Sequence, residues 1–191
     1  MSLPGDLQAI VDELNRLSKS FADLVLPLSP QQFHWQPQPG RAWSIGQCVD
    51  HLQLTNRVYV RALAAAAEKG RQVGRTRRDP LRPNPLGRWF LWMIEPPSRL
   101  RVPVPLPEMV PASTGDPAAL WTGFLDSQSE VVEVLRASSD LDLCRIRFRN
   151  PVARDLPVFN LATGFLIVAA HERRHLAQAR RVRALAGFPA S

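Results

Sequence analysis

Apolar residues recur at three- and four-residue intervals at Leu7, Ile10, Val11, Leu14, Leu17, Phe21 and Leu24, the spacing of a helix that buries one face. The pattern predicts a helix from Gly5 to Val25, ended by Pro27 and Pro30. A turn-rich stretch, LSPQQFHWQPQPGRAW, follows, in which Ser29 is placed to cap a single turn before Trp35. Ser44 is a natural N-cap for a second helix with the stripe Ile45, Cys48, Val49, Leu52, Val58 and Leu63, closing near Gly70. From Arg71 to Pro117 prolines break any regular pattern, and only GRWFLWMIEPP predicts a short apolar helix. Asp116 and Pro117 then form a cap and first-position pair opening a third helix, which buries Leu120, Phe124, Val131, Val132 and Leu135 and frays over 137–140. In LDLCRIRFRNPVARDLPVF, Leu143, Ile146 and Phe148 alternate with Arg145, Arg147 and Arg149, and an extended connection is expected. The last helix is predicted from Asn160 to Ala186 with Gly187 as its stop. Its first half is apolar nearly all round, as a central helix would be.

Four long helices with one long crossover predict an all-α fold, a four-helix bundle. At 191 residues the chain is expected to be one domain, 1–191, with an irregular Pro/Arg-rich insertion at about 71–117. The start lacks a basic region followed by an apolar run, and the longest apolar stretch, Leu161 to Ala170, is too short to span a bilayer. A cytoplasmic protein without a membrane partner is expected. Cys48 and Cys144 lack CxxC spacing and are expected as free thiols, with Cys48 in the core. The net charge of +7 is nearly all arginine. Arg71, Arg75, Arg77, Arg78, Arg82 and Arg88 cluster, but prolines interrupt them and no nucleic-acid-binding motif accompanies them, so a solvated basic loop is expected rather than a nucleic-acid interface.

The chemistry concentrates in the histidines. His171 and His175 stand four apart in HERRH, one helical turn on one face and roughly 6 Å between Cβ atoms, a spacing that suits two nitrogen ligands of one ion. Taken literally the string is HExxH, in which Glu172 would be the general base of a zincin peptidase. Zincins usually draw their third ligand from downstream, yet no His, Asp or Glu follows His175. His51, mid-helix beside Val49 and Leu52, is the upstream candidate, and three histidines on two packed helices would leave a coordination position open. Zinc, nickel, iron and copper all suit such a set. His34, in Phe33-His34-Trp35, is expected to pack or support rather than ligate. Glu172, turned about 100° from His171 on the helix, is the candidate for a catalytic role, with orienting a ligand or sitting in solvent beside Arg173 as the alternatives.

The pair QQFHWQPQPGRAWSIGQCVDHL and HERRHLAQARRVRAL resembles the DinB-like superfamily, through Trp43-Ser44-Ile45-Gly46, His51-Leu52, and HxxxH with Gln178. The resemblance spans most of the chain. It implies an up-down-down-up bundle of a bacterial type, commonly a homodimer, holding a divalent zinc or nickel ion at His51, His171 and His175. Similar proteins include transferases that use a low-molecular-weight thiol, which a coordinating cation deprotonates. The expected function is therefore metal-dependent transfer or hydrolysis on a small-molecule substrate, with Trp43, Arg173 and Arg174 as candidates for substrate contact. The alternatives are a non-catalytic metal-binding stress-response scaffold, a zincin-like peptidase, and a nucleic-acid binder acting through Arg71 to Arg101.

Overall fold

Side-chain caps fix where most of the helices begin. The computed structural model describes residues 2–78, 80–97, 104, 106–112, 114–153 and 158–190. Helix α1 (Gly5–Val25) buries the periodic stripe from Leu7 to Val25. Helix α2 (Pro30–His34) is the single turn capped by Ser29. Helix α3 (Ile45–Gln72) opens on a capping box: Ser44 Oγ accepts from the Gln47 N–H at 3.0 Å, and Gln47 Oε1 accepts from the Ser44 N–H at 3.0 Å. Asn84, Asp116 and Asn160 cap α4 (Pro85–Ile94), α5 (Pro117–Ala137) and α6 (Leu161–Arg183) in the same side-chain-to-N3 manner.

Cross-helix contacts give the directions. Arg173 and Arg183 on α6 bond Glu13 and the Leu24 carbonyl on α1, so these helices run parallel. Asn56 bonds Glu172, and Leu63 packs at Gly164, so α3 runs antiparallel to α6. Asn56 meets Ser127 and Arg71 meets the Ala137 carbonyl, so α5 runs parallel to α3. The bundle is up-down-down-up. A parallel α3–α5 pair needs a connection that travels back the length of the bundle, which is the structural reason for the long proline-rich crossover. Within that crossover α4 packs along α6, and a 3-10 turn at Pro107–Met109 packs on α3.

Two boundaries differ from the sequence reading. The extended connection contains a two-residue antiparallel ladder, β1 (Arg147–Phe148) with β2 (Phe159–Asn160), in which Arg147 pairs with Asn160 and Phe148 with Phe159. Phe148 faces the core and Arg147 faces solvent, as the alternation requires. Helix α6 ends at Arg183 rather than Ala186, and the chain closes with turns in which the Ala184, Leu185 and Phe188 N–H groups bond carbonyls three or four residues back. Residues 154–157 of the connection, and 98–103, 105 and 113 of the crossover, Arg101 among them, lie outside the described residues. Among the described residues no helix is long and apolar enough to cross a membrane.

The apolar core falls into two clusters. One holds Leu7 to Leu14, Val58 to Ala67, Val131, Leu135 and Leu161 to Ala170; the other holds Leu17 to Val25, Phe33, Ile45 to Leu52, Phe124 and Leu176 to Val182. A polar layer separates them at mid-height: Ser18, Asn56, Ser127, Gln128 and Glu172. Close backbone approach fixes the second cluster, because a Cβ on Gly46 would stand 2.5 Å from Phe33 Cε1 and 3.2 Å from the Phe33 carbonyl oxygen. Helix propensity alone would favour alanine there by up to about 1 kcal/mol. Overpacking against a rigid ring opposes it with about 1–3 kcal/mol, so Gly46→Ala is expected to lower stability in chemical denaturation. A variant more stable than the wild type would show that Phe33 does not seat on α3 as described.

Candidate metal centre

His51 comes from the middle of α3, and His171 and His175 from one face of α6, so the antiparallel α3–α6 pair brings them to one point. His171 Nε2 lies 3.3 Å from His51 Nε2 and 3.1 Å from His175 Nε2, and one nitrogen of each ring lies within 4.8 Å of the others. Two imidazoles held about 2.0–2.1 Å from a tetrahedral zinc place their nitrogens about 3.3–3.4 Å apart. The two spacings at His171 therefore fit an ion of that size.

The protonation states agree. Burial holds the His51 imidazole below its ordinary basicity, against the Met109 carbonyl and Asp50, which raise it. Burial pushes His171 and His175 well down, and the neighbouring imidazoles and the Arg174 guanidinium push them further. Gln178, one turn on, works the other way on His175. Neutral imidazoles offer lone pairs, as metal ligands must. The tautomer of His51 is set from behind: Met109 offers a carbonyl oxygen 2.7 Å from Nδ1, so Nδ1 carries the proton and Nε2 is the donor atom toward the cluster. Nδ1 of His171 and of His175 is buried without a hydrogen bond. Among the described residues no fourth His, Cys, Asp or Glu joins the set.

The surroundings come from three places. Trp43, half-buried just before the α3 cap, stacks on His175 with ring centroids 5.7 Å apart and tilts against His51 at 4.8 Å. Thr55 Oγ1 lies 3.5 Å from His51 Nε2. The returning end of the crossover straps across α3: Met109 accepts from His51, Asp50 Oδ2 accepts from the Ala112 N–H at 2.7 Å, and His34 Nε2 donates to the Gly115 carbonyl at 2.8 Å. His34 thus holds the strap and does not ligate. Asp50 and the Met109 carbonyl had no signature in the sequence. Asp50 sits next to a histidine in an ordinary helical stretch, and a backbone carbonyl from a loop 58 residues away is invisible without the fold.

Glu172 faces the core. It is fully buried, with Oε1 accepting from Asn56 at 3.0 Å and Oε2 from Gln128 at 2.8 Å. Gln128 in turn donates to the Leu14 carbonyl at 3.1 Å and accepts from Ser18, so all four long helices meet at this carboxyl. Both oxygens are occupied away from the imidazoles, a placement at odds with a zincin base. Arg173 is held by Glu13 and Glu95, tying α6 to α1 and to the end of α4. Arg174 is half-buried, and its charge is felt by both ligands on α6. Cys48 is a core residue whose thiol burial pushes up to about 12, which removes it as a nucleophile. Both cysteines are free.

Burial raises the Glu172 carboxyl from 4.5 to about 7. Between those values the folded state keeps a proton that the unfolded chain has released, so Glu172 lowers stability as pH rises through that window and leaves a constant cost above it. Glu172→Gln in the metal-free protein should therefore gain about 1–3 kcal/mol relative to wild type on going from pH 5 to pH 8. Denaturant titrations at both pH values measure it, and an unchanged difference would place an ionised carboxylate in the core at pH 5.

No curated protein and no solved structure matches the chain. The family model of the DinB superfamily matches residues 13–179, from the middle of α1 to the last turns of α6 and across all three histidines. The chain is therefore a member of the DinB superfamily, with a histidine triad that can hold a metal ion.

Proposed function

We propose that this protein is a metal-dependent enzyme that transfers a low-molecular-weight thiol to a small electrophile, with zinc or nickel held by His51, His171 and His175. The observation that carries this reading is a triad of neutral imidazoles with no fourth His, Cys, Asp or Glu ligand among the described residues, walled on one side by an aromatic ring. An ion held there supplies a Lewis acid that lowers the pKa of a bound thiol or water. In the transfer, sulfur forms the new bond to carbon, the thiol proton passes to solvent, and the leaving group departs with its bonding pair. Trp43 offers a flat apolar wall for the substrate. Arg174 adds positive charge on the α6 side, and Arg173 is held by two carboxylates. The Met109 carbonyl and the strap hold His51 in its donor tautomer, so the imidazole does not reorganise as the substrate arrives.

The peptidase alternative requires Glu172 beside the ion, and its oxygens are occupied by Asn56 and Gln128 instead. The test is turnover by protein reconstituted with zinc or with nickel, assayed with a panel of small thiols against an activated aryl halide. Metal-dependent thiol consumption should vanish in His51→Ala. In Trp43→Ala it should show a raised KM with a smaller change in kcat, as expected for a lost binding wall. Metal-loaded wild type without turnover across the panel would leave the non-catalytic metal-binding reading in its place.

A further inference from the structure

Helix α4 presents to solvent a face that the bundle does not use. At about 100° per residue, Gly87 and Ile94 point to one side and Trp89 and Trp92 to the opposite one, with Leu86 and Arg88 on its flanks. The side toward the bundle is committed: Gly87 packs at Thr163, Ile94 is buried, and the Phe90 ring lies 5.2 Å from Phe159. The outer side is 55% exposed at Trp89, 75% at Trp92 and 45% at Leu86. Two neighbouring tryptophans left that open on a ten-residue helix cost hydration that a partner would recover.

The rim of this face is basic. Arg88 shares it, and Arg82 precedes the α4 cap with its N–H on Cys144 Sγ. Next to Cys144, β1 and the residues before it bring Arg145 and Arg147, both exposed, to the same end of α4. There a recess of about 350 Å³ opens between Asn84, Arg145, Arg147 and Asn160. Among the described residues Arg82, Arg88 and Arg147 form no ion pair, and Arg145 reaches only Asp142, at 3.6 Å. Tryptophans flanked by exposed guanidinium groups match the boundary of a bilayer, where indole sits at headgroup level and arginine meets phosphate.

We propose that α4 and the basic recess at its N-terminal end form a peripheral docking surface for an anionic phospholipid bilayer. Trp89 and Trp92 enter the headgroup boundary, and Arg88, Arg145 and Arg147 meet lipid phosphates. A second copy of this chain fits the surface less well, because a two-fold contact on this face would set its arginines against their own images. The sequence predicts only a short apolar helix here and no membrane partner; the outward direction of Trp89 and Trp92 is what the structure adds. The surface is independent of the reaction at the metal centre.

The test is co-sedimentation of the intact protein with phosphatidylglycerol vesicles and with phosphatidylcholine vesicles, for wild type and a Trp89→Ser Trp92→Ser double variant. Both residues are exposed, so the variant should keep the helical spectrum of the wild type. Wild type should bind phosphatidylglycerol about tenfold or more above phosphatidylcholine, weakening with salt, and the variant should lose about tenfold or more of that binding. Bromine-labelled lipids should quench fluorescence in the wild type and far less in the variant. Absent vesicle binding, equal binding by the variant, self-association abolished by the variant without lipid binding, or a preference for RNA over vesicles would each overturn the proposal.

Discussion

One buried carboxyl sets the register of the whole bundle. Glu172 draws Asn56 from α3 and Gln128 from α5, and Gln128 draws Ser18 and the Leu14 carbonyl from α1, so four helices are pinned at one height between two apolar clusters. Apolar packing alone tolerates sliding and rotation, whereas a hydrogen-bonded buried carboxyl does not, because each lost partner leaves a polar group in the core at about 1–3 kcal/mol. Glu172 lies between His171 and His175 on α6, and Asn56 lies five residues beyond His51 on α3. Fixing Glu172 against Asn56 therefore fixes which face of α6 meets His51. The triad is a consequence of that register.

The crossover completes the site from outside the bundle. Its length follows from joining two parallel helices, and its returning end is put to use: the Met109 carbonyl holds the His51 proton on Nδ1, Ala112 docks on Asp50, and Gly115 on His34. Its outgoing half carries α4, whose end reaches Arg173 through Glu95. Glu172 and Arg173 lie between His171 and His175 and face different neighbours, Arg173 tying α6 to surface elements and Glu172 tying it to the core.

Much of this was legible in the residues. The stripe from Leu7 to Leu24, the caps at Ser29, Ser44, Asp116 and Asn160, and the HxxxH spacing are local signals, and the structure places each as local rules require. The partnership of His51 with His171 spans 120 residues, and it could be inferred because helix-borne histidines are few. What escaped was non-local or borne by the backbone. The direction of Glu172 depends on where Asn56 and Gln128 stand, the hold on His51 comes from a carbonyl, and the pairing of Phe148 with Phe159 needs a partner strand too short to show a period. The end of α6 was misplaced by three residues because Ala184, Leu185 and Ala186 suit a helix, and turns in the chain's last residues overrode that propensity.

The central claim is that three imidazoles of α3 and α6 hold one ion. Elemental mass spectrometry of the purified protein tests it most directly, wild type beside His51→Ala and His171→Ala, each confirmed as helical. About one equivalent of a transition metal in the wild type, lost from both folded variants, is the predicted result. A wild type that takes up no zinc, nickel, iron or copper on reconstitution, or variants that keep a full equivalent, would contradict it.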